Sequence, residues 1–300
     1  MFKSYVWLTF CVVVWGSNFV FGKILVQYFS PALVTSLRLC MIVGFLLCLS
    51  LFYRYKQKLR YKRDFILLIV LGSVGVFVNQ WSFFNGLTTA DPTTAALILA
   101  MTPIVTGFLA AIFLKEKITI RMLLGSVVAL VGIYYVVTNG NLTQIQLDKG
   151  LLWIILTMVT FSIMIIITRL LSSRIDPFTV TLYSNIIALF ISIPFIFIST
   201  NSGSQLLEPT INIWLFLIVT AIIVHGLANL MWNNHIRNVD ASKASVLTNL
   251  EPFVAMIVGF IILAKPITGT ELFGALLIVS GVVLSTYQHA HKHKFTVTRK

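Results

Sequence analysis

The chain has 300 residues, 58% of them hydrophobic and 10% charged, with a mean hydropathy of +0.95. A soluble domain carries about 25% charged residues, so this composition excludes a water-soluble globular fold and points to an all-α integral membrane protein. The net charge of +13 would suit nucleic acid, but the basic residues cluster between apolar runs, where a bilayer surface accounts for them.

A helix needs about 20 apolar residues to cross a hydrocarbon core of roughly 30 Å. Ten runs qualify: 5–25, 32–53, 65–87, 93–114, 119–138, 151–172, 178–199, 211–234, 242–264 and 269–288. The first is read as a retained helix rather than a signal peptide, because no small-residue cleavage site follows it. Its segment VWGSNFVFGK (14–23) places Trp15, Asn18 and Gly22 on one face. An amide in lipid needs an interior partner, so Trp15 and Asn18 are candidate binding residues. The second run contains Arg38, about one and a half turns inside its outer end. Two readings stay open for it: pairing with a carboxylate substrate, or snorkelling to the interface. The third run carries Gln80 and Phe83, an amide and an aromatic ring one turn apart. The fourth carries Thr102-Pro103, and the fifth Gly125 and Gly132, whose spacing suits close helix packing.

In the seventh run Tyr183 and Asn185 occupy a region related to that of Arg38, and Tyr183 joins the binding candidates. The eighth reads VHGLANLMWNNH (224–235). On an α-helix His225, Asn229 and Trp232 share a face at i, i+4 and i+7. Asn229 and Gln80 could hold a carboxylate or amide, Trp232 and Phe83 could stack on the ligand, and His225 could shuttle protons. Interhelical bonding and ring packing are the plainer alternative. The ninth run holds LTNLEPFVAM (247–256), where Glu251 lies near mid-depth. An ionised carboxylate there costs several kcal/mol unless paired or hydrated. On a continuous helix its stripe reads Ala244, Thr248, Glu251, Ala255, Gly259, and Pro252 would free the Thr248 carbonyl. Thr248 and Glu251 together suit a cation or ammonium seat, or a proton relay; a structural carboxyl bonded to a neighbouring helix is the alternative. The tail QHAHKHK (288–294) is read as solvated and basic. Cys11, Cys40 and Cys48 lie in apolar runs without disulfide or metal spacing. No metal site, cofactor motif, nucleotide-binding loop or hydrolase signature is present in the sequence, so an enzyme is not expected.

With the N-terminus inside, 18 of the 22 Lys and Arg residues fall on the inner side, six of them between 54 and 63. Lys23, Lys149 and Lys265 fall outside, and Arg38 lies within a span. The positive-inside rule then makes both termini cytoplasmic.

The two halves of the chain align. At an offset of 149, Asn85 meets Asn234, Asp91 meets Asp240, Ala95 meets Ala244, Pro103 meets Pro252, Gly125 meets Gly274 and Gly132 meets Gly281. At 146, Trp7 meets Trp153 and Pro31 meets Pro177. Each half (1–145 and 146–300) holds five spans, an odd number, so the second enters the membrane from the opposite side. Ten helices in two inverted five-helix repeats are an arrangement suited to alternating access.

In order and in duplicate, these segments resemble the ten-span EamA-like members of the drug/metabolite transporter superfamily. WGSNFVFGK and SPALVTSLR resemble that family's first hairpin. TPIVTGFLAAIFLKEKIT (102–119) resembles the end of its first half, and NLEPFVAMIVGFIILAKPIT (249–268) the second copy. Lys265 departs from the pattern, standing where the second copy has the acid matching Glu116. The resemblance implies a secondary transporter of small metabolites in a plasma or inner membrane, often an exporter of amino acids or related compounds. With Glu251 as the titrating or ammonium-binding group, the expected cargo is an amino acid or related amine moved out against protons. The partners expected are a small-molecule substrate, the bilayer and protons, with no nucleic acid. Exchange of nucleotide sugars or sugar phosphates without proton coupling is the alternative.

Overall fold

A computed structural model describes residues 2–52, 62–115, 117–140, 148–172, 174–199, 206–235 and 247–286. The basic loop 54–61, Glu116, Asp240, Ala244 and the histidine tail lie outside these residues. Every regular element described is helical: α1 (Phe2–Tyr28), α2 (Pro31–Phe52), α3 (Lys62–Val70), a π-helical segment π1 (Leu71–Val78), α4 (Asn79–Thr89), α5 (Pro92–Leu99), α6 (Thr102–Leu114), α7 (Ile120–Val137), α8 (Lys149–Ser172), α9 (Pro177–Ser199), α10 (Ile211–Thr220), a second π segment π2 (Ala221–Leu227), α11 (Ala228–His235), α12 (Glu251–Leu263) and α13 (Gly269–Thr286). Sequences this apolar become helices because backbone groups in hydrocarbon must be bonded within their own segment. The ends carry ordinary stop and start chemistry. Asp91 accepts from the Thr94 N–H at 3.0 Å with Pro92 just inside α5, and Thr119 caps α7 through the Met122 N–H at 3.2 Å.

Among the described residues, eight helices are long and apolar enough to cross a membrane, at the positions of runs one to seven and ten. The eighth and ninth runs contain shorter apolar helices, Ile211–Leu227 and Glu251–Leu263. Four expectations of continuity are corrected. The third and eighth runs are not plain α-helices, since each contains a π segment. Over its described residues, 247–264, the ninth run is not one helix: the chain is helical at 247–248, turns at 249–250, and restarts at Glu251. The fourth breaks in the same way, between Leu99 and Thr102. The prolines explain both restarts. Pro103 and Pro252 sit in the first turn of α6 and α12, where a missing N–H has no partner to lose. The bond that Pro252 was expected to remove from a continuous helix therefore does not exist there.

A set of polar residues lies buried within a largely apolar core, and large apolar side chains cover the outer surface. Arg38, Thr35, Ser82, Thr157, Thr160 and Ser162 are buried, whereas Leu51, Ile112, Phe113, Phe190, Phe197 and Ile261 are exposed. This is the pattern of a bundle solvated by lipid. Asn79 donates to the Thr157 carbonyl at 2.8 Å, and the Ser82 and Thr157 hydroxyls lie 2.8 Å apart, tying α4 to α8. Helix α1 packs on α4, α11 and α12; α2 on α9 and π2; and α7 on α13. The last crossing is backbone on backbone. A Cβ on Gly125 would stand 2.3 Å from the Gly281 carbonyl oxygen, and one on Gly132 would stand 2.9 Å from that of Gly274. As one helix runs from 125 to 132 its partner runs from 281 to 274, so the two are antiparallel.

Candidate functional site

Arg38 organises the polar interior. It lies on α2 and is 0% exposed, which excludes snorkelling. Its Nη2 donates to Asn18 Oδ1 on α1 at 3.3 Å and to His225 Nδ1 in π2 at 2.9 Å. A guanidinium can only donate, so Nδ1 is the acceptor and the imidazole carries its proton on Nε2. The Phe84 ring lies beneath the guanidinium, 5.4 Å from the carbon to the centroid, within cation–π range. Nε and Nη1 are buried and have no hydrogen-bond partner. Among the described residues no carboxylate pairs with this cation.

The π segments help place these groups. A π turn widens the helix and shifts the register of the side chains around it. His225 meets Arg38, and Trp232 packs on Trp15 with ring centroids 5.0 Å apart. Trp15 Nε1 donates to the Val224 carbonyl at 3.1 Å, pinning α1 to π2. The Asn229 amide is turned back to the His225 carbonyl at 2.9 Å. Phe83 meets Phe19 at 5.5 Å and Phe84 at 5.3 Å. Gly22 admits this aromatic group, since a Cβ there would stand 2.6 Å from Leu87 Cδ1 and 3.1 Å from Phe83. Gln80 is buried and its Oε1 has no partner.

Glu251 opens α12, half-buried. Its backbone packs on α1 at Gly16, where a Cβ would stand 2.7 Å from the Glu251 carbonyl oxygen. No hydrogen bond or ion pair reaches its carboxylate among the described residues. The first turn of a helix carries partial positive charge, which favours an acid there. Thr248 lies half-buried before the preceding turn. Tyr183 is 43% exposed on α9 and shares no described contact with the arginine group.

The structure thus joins Asn18, Arg38 and His225 directly, and Trp15 with Trp232. Phe84 and Gly16 were not picked out from sequence. Phe84 follows Gln80 by four residues, one α-helical turn, and that spacing was the available signal. Gly16 carries no signal without the identity of the helix facing it.

A second ionic group lies where the α4–α5 and α12–α13 connections meet. Lys265 pairs with Asp91 at 2.7 Å and with Glu271, and Lys23 donates to the Thr88 and Ala90 carbonyls at 3.1 Å each. Partial burial draws the Lys265 pKa down, but the bonds and charges of Asp91 and Glu271 outweigh it and the net shift is upward. A raised lysine pKa means stability that is fully present below the ordinary value of about 10.4 and lost as pH rises through the folded value. Lys265→Met is expected to lower the melting temperature at neutral pH, with the difference from wild type closing on strong alkalinisation. A melting series in detergent across pH checks this.

Comparison with known proteins places this geometry. An uncharacterized transporter of Bacillus subtilis, YyaM, is 29% identical over 274 residues, covering 90% of this chain and 89% of its own. An uncharacterized transporter of Archaeoglobus fulgidus is 26% identical over 283 residues, covering 94% and 98%. A solved crystal structure shares the fold with a TM-score of 0.64 at 15% identity, covering 93% of this chain and 95% of that one. The model of the EamA-like transporter family matches residues 2–138 and 148–287, nearly the whole of a chain whose helices are apolar outside and hold a buried polar group within. This multi-pass membrane protein belongs to the EamA-like transporter family.

Proposed function

We propose that the protein is a ten-span secondary transporter of two inverted five-helix units, 1–145 and 146–300. It sits in the cell membrane with both termini cytoplasmic. It exports amino acids or related amines by alternating access, coupled to protons, with Glu251 as the titrating or ammonium-binding group. Trp15, Asn18, Arg38, Gln80, Phe83, His225, Asn229, Trp232 and Thr248 contribute to the cargo site, with Tyr183 at its margin.

The observation that carries this reading is the unpaired Glu251 carboxylate at the start of an interrupted helix. Broken helices whose half-helix termini face the interior are where transporters of inverted-repeat type bind cargo and ions. The two-unit organisation is supported by matching breaks. Helices α6 and α12 start at 102 and 251 and end in left-handed residues, Lys115 and Ala264, all 149 apart. Helices α7 and α13 begin at 120 and 269, the same interval, and cross antiparallel. Packing pairs also exchange between halves: α4 on α8 with α11 on α1, π1 on α9 with π2 on α2, and α6 on α8 with α12 on α1.

The test is flux in sealed proteoliposomes loaded with radiolabelled amino acids and amines. An imposed pH gradient is expected to accelerate efflux of at least one of them relative to protein-free vesicles. Equal flux with and without the gradient overturns the coupling. Exchange of anionic metabolites without proton coupling is a second reading, favoured by the buried Arg38. A phosphate group, however, calls for several basic partners, and Arg38 is the one Lys or Arg buried among the described residues. Counterflow indifferent to pH would favour that second reading.

A further inference from the structure

We infer that the open N–H groups of Arg38 bind the carboxylate of the cargo, and that this carboxylate is carried on an apolar or aromatic body. The inference deepens the transporter reading and rests on it only in taking the ligand to be cargo.

A guanidinium has five N–H hydrogens. Two are used at Nη2, on Asn18 and His225. The three on Nε and Nη1 are buried with no acceptor. Both existing partners are neutral, so the cation has hydrogen bonds on one side and no counter-charge. Burying a charge without a partner is among the costliest arrangements in a fold. It persists here inside a fully closed environment, since the residue is 0% exposed. A bound anion would supply both missing elements, acceptors for the N–H groups and a negative charge.

The surroundings define the anion. One positive charge balances a carboxylate and falls short of a phosphate monoester. His225, accepting from Arg38 through Nδ1, adds no second charge. Arginine's planar donors suit carboxylate oxygens geometrically. The neighbouring surface is aromatic: Phe84 lies under the guanidinium, Phe83 touches Phe84, and Phe19 touches Phe83. Rings of this kind accept an apolar side chain and offer a second carboxylate or a sugar hydroxyl little to bond with.

The experiment uses the purified full-length chain in nanodiscs. Melting temperature and tryptophan fluorescence are followed during titration with L-phenylalanine, 3-phenylpropionate, L-phenylalaninamide, phenethylamine and phenyl phosphate. Trp15 is a useful reporter because it bonds to the Val224 carbonyl, next to His225. The two carboxylates are expected to bind at least about tenfold more tightly than the amide, the amine and the phosphate. Arg38→Met should abolish that discrimination. The substitution also leaves Asn18 Oδ1 and His225 Nδ1 without their buried donor, so the variant is read by its loss of acid–amide discrimination and not by its ligand-free melting temperature.

Equal binding of acid and amide overturns the inference, as does the absence of an Arg38-dependent response to either carboxylate. The acid–amide comparison needs only the wild-type protein, so it decides the matter even if the variant fails to fold. The vesicle assay separates the two readings. Arg38-dependent carboxylate binding without flux leaves this site standing and removes transport. Flux of amines that ignores Arg38 leaves transport standing and removes this site.

Discussion

Glu251→Gln is expected to abolish the response of flux to a pH gradient while leaving the fold intact. Glutamine matches the shape of glutamate but neither titrates nor pairs with an ammonium. The carboxylate has no partner among the described residues, so its loss leaves no stranded cation behind. Its backbone, which packs at Gly16, is unchanged. Removing one member of a charged contact with cargo costs about 2–5 kcal/mol, well over a tenfold loss of pH-driven flux. The melting temperature should move little, or rise, since a charge leaves a low-dielectric environment. The check is proteoliposome efflux with and without an imposed gradient, alongside thermal melting. Undiminished pH-driven flux in the variant would remove Glu251 from the coupling step.

Gly281→Ala is expected to be among the most destabilising single-methyl additions in the chain. A Cβ at 281 would stand 2.5 Å from the Gly125 carbonyl oxygen and 2.6 Å from the Ala129 nitrogen. Both are backbone atoms, so relief requires the helices to separate rather than a side chain to rotate. Overpacking a close contact costs about 1–3 kcal/mol, occasionally more, and the rigid partners here put the cost at the upper end. Gly44 is the control. Nothing lies within 4 Å of a Cβ placed there, and glycine inside a helix is about 0.5–1 kcal/mol worse than alanine. Gly44→Ala should therefore hold or raise the melting temperature, while Gly281→Ala lowers it and reduces the monodisperse yield. Equal behaviour of the two variants would mean that α7 and α13 do not meet through their glycines.

The two predictions differ in how far their basis could be read in advance. Gly125, Gly132, Gly274 and Gly281 were legible as packing positions because small residues repeated at one interval. Their partners were not, since spacing along one helix does not say which helix crosses it. Glu251 was legible because a carboxylate in an apolar run is costly wherever the run goes. The break before it was masked by the same apolarity: 242–264 reads as one hydrophobic stretch whether or not the backbone turns at 249–250. The proline was the local clue, and it marks a restart here rather than a kink.

The sequence by itself determined a membrane-embedded helical chain, the eight runs that are helices long and apolar enough to cross among the described residues, and the duplicated pattern of prolines and glycines. These follow from transfer free energies and backbone chemistry, which act residue by residue. Only the tertiary structure decided that Arg38 meets His225, 187 positions away, that Phe84 lies under the guanidinium, and that Lys265 joins Asp91 to Glu271. Such pairings depend on helix crossings and on two π turns. Those in turn come from packing summed over the whole bundle, a quantity that no single segment carries.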